Sequence, residues 1–376
     1  MKHRVLIVSI GYKPNMGGLE THLEDLTKVI YKNGWFPVVL TYKPVTTKIS
    51  AKFYEKKQDI EIFRIPWIGN YFYKLVKNPI LEFIYLTPAL FVMLPILLMF
   101  RYKEISVIHS HGLIAGFSSV FWGKLFGKKV ITTTHSIYNF PASGIYHNFV
   151  AWIYNNSDTI FVLSDQSKRE ILNLRVDSDK VIRFTYWIDL KHFSKISGAK
   201  EKLRWNNKFV VLSAGRLVPE KGILELLDAA KGWNSKITLA IVGTGPLEKI
   251  IRDYTSKYHN IQYLGNIDST KMPLYYSAAD LLIVPSVHEE GFGRIILESL
   301  ACGTPVIGSN RGAIPEAMDK SVGKLIDISP KNIKIAVETM YSQRSVLSKL
   351  ASNCRKFAVS HYAEANAKVI IDSYSK

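Results

Sequence analysis

Short apolar runs, each followed by a loop and then by apolar residues at helical spacing, recur along most of this 376-residue sequence. The first half opens with such a run at residues 4–10, and the second half restarts the rhythm at residues 208–213. Strands that alternate with helices in this way pair in parallel, because each helix carries the chain back to the starting edge of the sheet. The alternation therefore predicts an α/β protein built on parallel sheets.

Chain length sets the expected number of domains. At roughly 100–200 residues per domain, 376 residues with 47% hydrophobic content supply two cores. A polar stretch rich in Lys, Ser and Gly at residues 195–207 has the composition of a linker. We therefore predict two Rossmann-like domains, at residues 1–195 and 196–355, whose parallel sheets face an interdomain cleft suited to a small molecule. A C-terminal helix at residues 356–376 is predicted to pack back on the N-terminal domain.

The turn at residues 286–293 joins a buried-strand pattern to a helical pattern. Its glycines, Gly291 and Gly293, let the backbone approach a ligand, and the N–H groups at the start of the following helix favour an anion such as phosphate. Glu290 and Glu298 flank this turn, and a carboxylate suits sugar hydroxyls better than it suits phosphate. Together these features predict a pocket for a nucleotide-sugar.

Glycines and histidines at other predicted strand ends are candidate ligand contacts. Gly17 and Gly18 follow the first strand, where open α/β sheets bind ligands. Their spacing does not match a dinucleotide fingerprint, and an ordinary loop is the alternative. His111 and His135 each lie at the end of a later strand, and each is either a packing residue or part of a site.

No metal site is predicted. His109 and His111 are two residues apart on one strand, without a nearby cluster of Cys, Asp or Glu that would complete a coordination sphere. Asp177, Ser178 and Asp179 have the Asp-x-Asp form that some sugar transferases use to hold a cation. They lie between a helix and a strand, however, where these residue types are typical of a turn.

The net charge of +18 indicates an anionic partner. No nucleic-acid-binding motif accompanies it, so a diphosphate substrate or an anionic membrane surface is favoured. Residues 43–77 carry eight basic and three acidic side chains among several aromatic ones, and the apolar run 80–100 follows. A single membrane crossing by this run would separate strands predicted on both sides of it. Two interpretations of the run therefore stay open: a buried or surface helix of the N-terminal domain, or an interfacial segment, which would make the region 43–100 face a membrane.

Two features bear on the cellular compartment. Cys302 and Cys354 are the two cysteines, too few for a disulfide framework and typical of a reducing environment. The apolar piece at residues 5–10 is too short for the core of a signal peptide. We expect a cytoplasmic protein that is peripheral on the cytoplasmic face of the membrane.

Several glycine-containing motifs of the second half occur in a fixed order. The pairs Gly-Arg at 215–216 and Lys-Gly at 221–222 come first, the run 243–246 follows, and the stretch 290–306 closes the set. In this order they resemble the retaining GT-B glycosyltransferases of family 4, and the resemblance extends over nearly the whole chain. One departure is the sequence Tyr-Trp-Ile-Asp at 186–189, where the family usually has Asn-Gly-Val-Asp.

The resemblance implies a role for each matching position. Arg216 and Lys221 would hold the donor diphosphate and stabilise the departing nucleotide. Glu290 would contact hydroxyls of the donor sugar and Glu298 the nucleotide ribose, and His135 would lie near the donor sugar. The other donor-binding positions, most of them in loops that cradle the phosphates, are Gly17, Gly18, Gly243, Phe292, Gly293 and Arg294.

The resemblance also implies a reaction in which a hexose moves from a nucleotide-diphosphate sugar to an acceptor. The region 43–100 indicates a lipid-linked glycan or glycolipid as that acceptor. A retaining double displacement needs a carboxylate nucleophile, and the sequence offers no obvious second carboxylate, so we predict a front-face substitution. The donor is a substrate, and neither a cofactor nor a metal is expected. Two alternatives stay open: a nucleotide-sugar 2-epimerase of similar fold, and a non-catalytic nucleotide-sugar-binding protein.

Overall fold

The computed structural model describes residues 3–15, 17–45, 49–67 and 78–375. The chain forms two compact units. Unit 1 contains Met1–Thr185 and Asn366–Lys376, and unit 2 contains Tyr186–Ala365. Each unit has its own sheet. The predicted two-domain α/β architecture with parallel sheets is confirmed.

Unit 1 is built on an eight-stranded sheet. Its strands are β1 (Arg4–Ser9), β2 (Phe36–Tyr42), β3 (Tyr54–Lys57), β4 (Ile60–Ile65), β5 (Ile105–His111), β6 (Lys129–Thr133), β7 (Thr159–Val162) and β8 (Val181–Arg183). Its first five helices are α1 (Gly18–Lys32), α2 (Pro79–Phe100), α3 (Leu113–Leu125), α4 (Ile145–Asn155) and α5 (Asp165–Leu172). The order is β3-β4-β2-β1-β5-β6-β7-β8, parallel except between β3 and β4. The chain order reverses between β1 and β5, so the loops after these strands border the point where such sheets bind ligands.

Two apolar cores join the helices to this sheet. In one of them, Leu86, Leu90 and Leu94 of α2 pack with Leu6 of β1 and Val38 of β2. The other joins α3, α4 and α5 to β6, β7 and β8. Because strands buried in this way are almost wholly apolar, they stand out in the sequence as continuous apolar runs.

The helix α2 is the long apolar run of the sequence. The side-chain oxygen of Asn78 caps it by accepting from the N–H groups of Ile80 (3.1 Å) and Leu81 (3.3 Å). Within the part of the chain that the structure describes, it is the one helix long and apolar enough to cross a membrane, with a mean hydropathy of 2.3. The flanking strands β4 and β5 lie in one sheet, which argues against a single crossing. Parts of the region 43–100, residues 46–48 and 68–77, lie outside the described residues.

Unit 2 is built on a six-stranded parallel sheet. Its strands are β9 (Phe209–Ala214), β10 (Ile237–Val242), β11 (Ile261–Tyr263), β12 (Leu281–Val284), β13 (Val306–Ser309) and β14 (Gly323–Ile326). Its α-helices are α6 (Ala199–Lys202), α7 (Ile223–Ala230), α8 (Glu248–Lys257), α9 (Met272–Ala278), α10 (Arg294–Ala301), α11 (Pro330–Ser342) and α12 (Arg344–His361). The order is β11-β10-β9-β12-β13-β14. The chain runs outward from β9 to β11 and returns to β12 on the other side of β9, which again creates a reversal point.

The division between the units differs from the predicted boundary at residue 195. The chain enters unit 2 at Tyr186, because the following residues pack on this unit. The guanidinium of Arg355 donates to the carbonyl oxygens of Leu190 (2.7 Å) and Phe193 (2.6 Å). The predicted linker contains α6, whose Lys200 forms an ion pair with Asp280 at 2.6 Å. A polar composition therefore marked a surface helix of unit 2 rather than a linker.

The C-terminal segment also differs from the single helix predicted at residues 356–376. The helix α12 ends at His361 within unit 2, and a separate helix, α13 (Lys368–Ser375), belongs to unit 1. The Tyr374 hydroxyl lies 2.7 Å from Nδ1 of His109. The ammonium of Lys129 donates to the Ser373 carbonyl at 2.7 Å. The chain therefore ends against β5 and β6.

Candidate active site

Two loops, at the carboxyl ends of β9 and β12, meet beside the point where the strand order of unit 2 reverses. The N–H of Val287 donates to the Glu220 carbonyl oxygen (3.0 Å), and Nδ1 of His288 lies 2.8 Å from the same oxygen. Gly222 has a φ of +67°, and a Cβ there would collide with the carbonyl oxygen of Pro285. Since only glycine permits this close approach, the local sequence allows the two loops to touch.

Lys221 and Glu290 form an ion pair between these loops. The Lys221 ammonium and the Ser286 hydroxyl both donate to Oε1 of Glu290. Burial by itself raises the pKa of a carboxyl group, but the charges of Lys221 and His288 and these hydrogen bonds together hold the pKa of Glu290 below its ordinary value. Unit 2 therefore presents an ionised, oriented carboxylate next to an ammonium group at neutral pH.

Arg216 lies on the loop that follows β9. Backbone bonds join this loop to the one after β10, with the N–H of Gly215 donating to Val242 (3.0 Å) and that of Leu217 to Thr244 (2.8 Å). A Cβ on Gly243 would collide with the Gly215 carbonyl oxygen, so glycine is required where the loops touch. The Arg216 side chain is exposed. An exposed guanidinium on a fixed loop is suited to bidentate contact with phosphate.

Phe292 and Gly293 lead into α10, as predicted. Gly293 is the N-cap residue, with a φ of +77°. The Phe292 ring is buried, with its centroid 5.6 Å from that of Tyr186 and 6.2 Å from that of Tyr362. Tyr186 belongs to the stretch in which this sequence departs from the family pattern, so the departure packs directly against the start of α10. Helix starts of this kind are favourable positions for an anion in general.

Arg294 and Glu298 form a buried ion pair on α10. The Arg294 Nε donates to Oε1 of Glu298 at 3.2 Å, and its Nη1 lies 3.4 Å from the Trp187 carbonyl oxygen. The Tyr276 hydroxyl donates to Oε2 of Glu298 at 2.9 Å. Burial and the neighbouring Glu298 carboxylate raise the pKa of Tyr276 well above its ordinary value, so this hydroxyl keeps its proton. The structure therefore shows buried partners of Arg294 and Glu298 that the sequence pattern did not indicate.

The glycine pair of unit 1 lies at the start of α1, on the loop after β1. Gly17 is the N-cap residue, and its carbonyl oxygen accepts from the N–H (3.2 Å) and hydroxyl (3.0 Å) of Thr21. Gly18 is the first residue of the helix. The Glu20 carboxylate lies beside Gly17, where a Cβ would collide with its Oε2. The loop that the resemblance assigns to phosphate binding therefore has an acidic side chain beside it.

Histidines gather at the carboxyl ends of β5 and β6 in unit 1. Nδ1 of His111 lies 2.8 Å from Nε2 of His135. The ring of His22, on α1, has its centroid 5.5 Å from that of His135. Burial lowers the pKa of His135 to about 3 and also lowers the pKa of His111 well below its ordinary value. Both rings are therefore neutral at physiological pH.

The predicted residues fall into separate groups. In unit 2, Lys221 contacts Glu290, Arg294 contacts Glu298, and the loops carrying Arg216 and Gly243 are bonded to each other. Gly17, Gly18 and His135 belong to unit 1. Sequence reasoning missed four side chains that hold these residues: His22, Tyr276, Ser286 and His288. A signal existed for Ser286, which opens the turn after a buried-strand pattern and lies four residues before Glu290.

The predicted Asp177 turn is confirmed. The Asp177 side chain accepts from the N–H of Asp179 at 3.0 Å and caps the short 3₁₀ helix Ser178–Lys180. Among the described residues, no group of three or more His, Cys, Asp and Glu side chains is arranged to hold a metal ion.

Family comparisons cover most of the chain. Residues 196–358 match the family described as Glycosyl transferases group 1, and residues 16–192 match the family described as Glycosyltransferase Family 4. The two matches meet close to the boundary between the two units, so each unit corresponds to one of them.

Individual relatives agree with these matches. An uncharacterized glycosyltransferase of Methanocaldococcus jannaschii is 25% identical over 99% of this chain and 97% of its own length. A phosphatidylinositol N-acetylglucosaminyltransferase subunit from Arabidopsis thaliana is 22% identical over 91% of this chain and 75% of its own length. The structure of Anabaena HepE in complex with UDP superimposes with a TM-score of 0.75 at 18% identity, covering both chains completely, which shows a shared fold. With its two-domain parallel-sheet fold, its ordered loop motifs and both family matches, the chain belongs to the group 1 glycosyltransferases with the GT-B fold.

Proposed function

We propose that this protein transfers a hexose from a nucleotide-diphosphate sugar to an acceptor with retention of configuration. The observation that carries the proposal is the Lys221–Glu290 ion pair, fixed by Ser286 at the reversal point of the unit 2 sheet. Arg216 on the same loop as Lys221 supplies a second cation. Two cations suit a diphosphate leaving group, because its negative charge grows as its bond to the sugar breaks.

In this proposal Glu290 accepts hydrogen bonds from sugar hydroxyls and does not act as a nucleophile. Its Oε1 already accepts from Lys221 and Ser286, and charge-assisted bonds of this kind reduce the nucleophilicity of a carboxylate. We therefore favour a front-face substitution. The acceptor oxygen bonds to the anomeric carbon on the face from which the bond to the phosphate oxygen breaks, and the acceptor proton passes to that phosphate oxygen.

The nucleotide part of the donor is supported by a structural neighbour. Anabaena HepE was crystallised with UDP, and a nucleoside diphosphate is the leaving group that the Arg216 and Lys221 loop would hold. In the same proposal, His135 and the Gly17–Gly18 pair keep the donor contacts that the family resemblance implies, and Glu298 keeps its contact with the ribose.

A membrane-bound acceptor is supported by the surface of unit 1. Exposed apolar side chains extend along α2, including Val92, Met99 and Phe100, and continue on α3 with Phe121 and Leu125. The two helices are joined by the ring of Phe91, whose centroid is 5.1 Å from that of Phe121. Several exposed apolar side chains on two adjoining helices are a feature of interaction sites.

Basic and aromatic groups border this α2–α3 face. Lys124 lies between Phe121 and Leu125 on α3, and the ammonium of Lys128 lies 3.8 Å from the ring centre of Tyr102. Apolar side chains flanked by cations and aromatic rings are typical of an anionic bilayer surface. We propose that this face rests on the cytoplasmic side of a membrane that carries a lipid-linked glycan or glycolipid acceptor. The Arabidopsis relative is named for phosphatidylinositol, which is a lipid, and this supports a lipid acceptor.

The test is a panel of nucleotide-sugars incubated with the purified protein, with and without a membrane lipid extract. We expect release of nucleoside diphosphate that depends on acceptor, and a product whose anomeric configuration, read by NMR, equals that of the donor. Isomerisation of the donor without any acceptor would identify an epimerase instead. If calorimetric titrations show no heat of binding with any of the nucleotide-sugars, the protein does not use these donors.

A further inference from the structure

The contact between His111 and His135 fixes where each ring carries its proton. Nδ1 of His111 and Nε2 of His135 are 2.8 Å apart, and burial keeps both rings neutral. A neutral imidazole has one N–H donor and one bare nitrogen acceptor. One of these two facing nitrogens must therefore carry a proton and the other must be bare.

The remaining nitrogen of His111 decides between the two arrangements. Nε2 of His111 is buried and has no hydrogen-bond partner among the residues that the structure describes. If this nitrogen carried the proton, a buried N–H donor would be left without an acceptor, which is rarer in proteins than an unsatisfied acceptor. The proton of His111 therefore belongs on Nδ1, from which it donates to Nε2 of His135. The single proton of His135 must then be on its Nδ1.

The His111 ring is held from its other side as well. His109, two residues earlier on β5, has its ring centroid 4.3 Å from that of His111. The two nitrogens of His109 are themselves in contact with the Tyr374 and Thr133 hydroxyls, each at 2.7 Å. Because the two rings project from the same face of one strand, the anchored His109 limits rotation of His111.

We propose that His111 is a positioning residue that holds His135 in the Nδ1–H tautomer and so determines which atom of His135 is its hydrogen-bond donor. This inference rests on the proposed function in one respect, namely that His135 contacts the sugar substrate. A ring in the other tautomer would present a bare Nδ1 where a donor is needed, and the contact would be lost without any change in the shape of the site.

The tautomers can be read directly from ¹⁵N-histidine NMR spectra of the intact protein without substrate. We expect His135, assigned by the signals that disappear in His135→Gln, to have a protonated Nδ1 and a bare Nε2. His111→Asn places an amide N–H near the position of Nδ1 and should preserve this state, whereas His111→Leu should release it. His147→Asn is the matched control, because His147 is half-buried and its Nδ1 contacts the Pro141 carbonyl oxygen instead of another histidine.

The value of kcat/KM should change when the tautomer of His135 changes. His111→Leu is expected to lower kcat/KM on the order of 10- to 100-fold, as is common for outer partners that orient a functional histidine, and His111→Asn to recover most of that loss. A wild-type His135 protonated on Nε2 would overturn the proposal without the need for any variant. So would equal kcat/KM in His111→Leu and wild type. If the wild-type protein uses no nucleotide-sugar, the proposed function fails, and the NMR spectra still decide the role of His111.

Discussion

The Lys221 ammonium donates to the Glu290 carboxylate across two loops whose residues are 69 positions apart in the sequence. The contact exists because β9 and β12 are neighbours in the sheet although two other strands separate them along the chain. Both loops leave the carboxyl edge of the sheet, so their side chains converge. This relationship places a cation and an anion side by side at the carboxyl edge of the unit 2 sheet, the edge at which open α/β sheets generally bind ligands.

Lys221→Met should lower turnover strongly, and because it also leaves the buried Glu290 without its charged partner, its stability is measured beside its kinetics. In the proposed reaction the variant removes a charge that stabilises the leaving diphosphate, and the loss of one such group typically costs about 100-fold or more in kcat. Steady-state kinetics with the best donor of the panel measures the effect. Lys231→Met is the matched control, since Lys231 pairs with Asp228 on an exposed surface. Similar kcat values for the two variants would contradict the role of Lys221.

Glu290→Gln separates a hydroxyl acceptor from a nucleophile. We expect kcat to fall, and we expect added azide to produce no glycosyl azide, because no covalent intermediate depends on this carboxylate. Azide rescue accompanied by inversion of configuration would instead show that Glu290 attacks the sugar. Mass spectrometry of the intact protein after reaction with a 2-fluoro donor analogue provides a second readout of any covalent adduct.

Glu290→Gln also tests a predicted pH dependence of the free energy of unfolding. The folded pKa of Glu290 is lower than its ordinary value of 4.5, so the folded state binds the proton less tightly than the unfolded state. The stabilisation by the ionised carboxylate is therefore fully present above that ordinary value and is lost as pH falls through the lower folded pKa. Denaturant titrations should show wild type more stable than Glu290→Gln at pH 7, with the difference shrinking below pH of about 4.

The sequence was sufficient to predict most of the strands but not the unit boundaries. The apolar run at residues 208–213 was predicted as a strand and is observed as β9, because a parallel strand buried on both sides is almost wholly apolar. β14 was not predicted, since it is short and only its first residue is fully buried. The boundary at Tyr186 was missed because the bonds of Arg355 to the preceding segment span more than 160 residues.

The candidate site was predictable in its residue types but not in its partners. The glycines and charges of the ordered motifs pointed to Lys221 and Glu290, and the structure brings these two together. The burial of the Arg294 side chain was not predictable. A basic residue at the start of a helix is as consistent with a phosphate ligand as with a buried ion pair. Its pairing with Glu298 and the Trp187 carbonyl depends on how α10 packs, and local sequence carries no information about that packing.

Arg216 and Arg294 should respond in opposite ways to substitution by alanine. Arg216 is exposed, so Arg216→Ala should change the free energy of unfolding by less than about 0.5 kcal/mol while it lowers kcat/KM. Arg294→Ala leaves Glu298 buried without its charged partner and should destabilise unit 2 by about 3 kcal/mol. Thermal unfolding measured beside kinetics distinguishes the two. A large stability loss in Arg216→Ala would show that its role is structural.

Removal of divalent cations should leave turnover unchanged. In the proposed reaction, Arg216, Lys221 and the N-terminus of α10 would supply positive potential for the donor diphosphate, a task that a metal ion can also perform. Activity assays before and after dialysis against EDTA, with magnesium and manganese added back separately, measure the requirement. Complete loss of turnover in EDTA that either metal restores would contradict this prediction.

The α2–α3 face should mediate binding to anionic membranes. Phe121 and Leu125 are 42% and 69% exposed on α3, so the double variant Phe121→Ser, Leu125→Ser should fold normally and yet float less with phosphatidylglycerol-containing liposomes. Ile335→Ser is the control, because Ile335 is a 50% exposed apolar residue on α11 of unit 2. Raising the salt concentration should weaken binding only in part, since burial of apolar surface contributes beside charge. Equal flotation of wild type and the double variant would show that the bilayer does not contact this face, whatever donor and acceptor the enzyme uses.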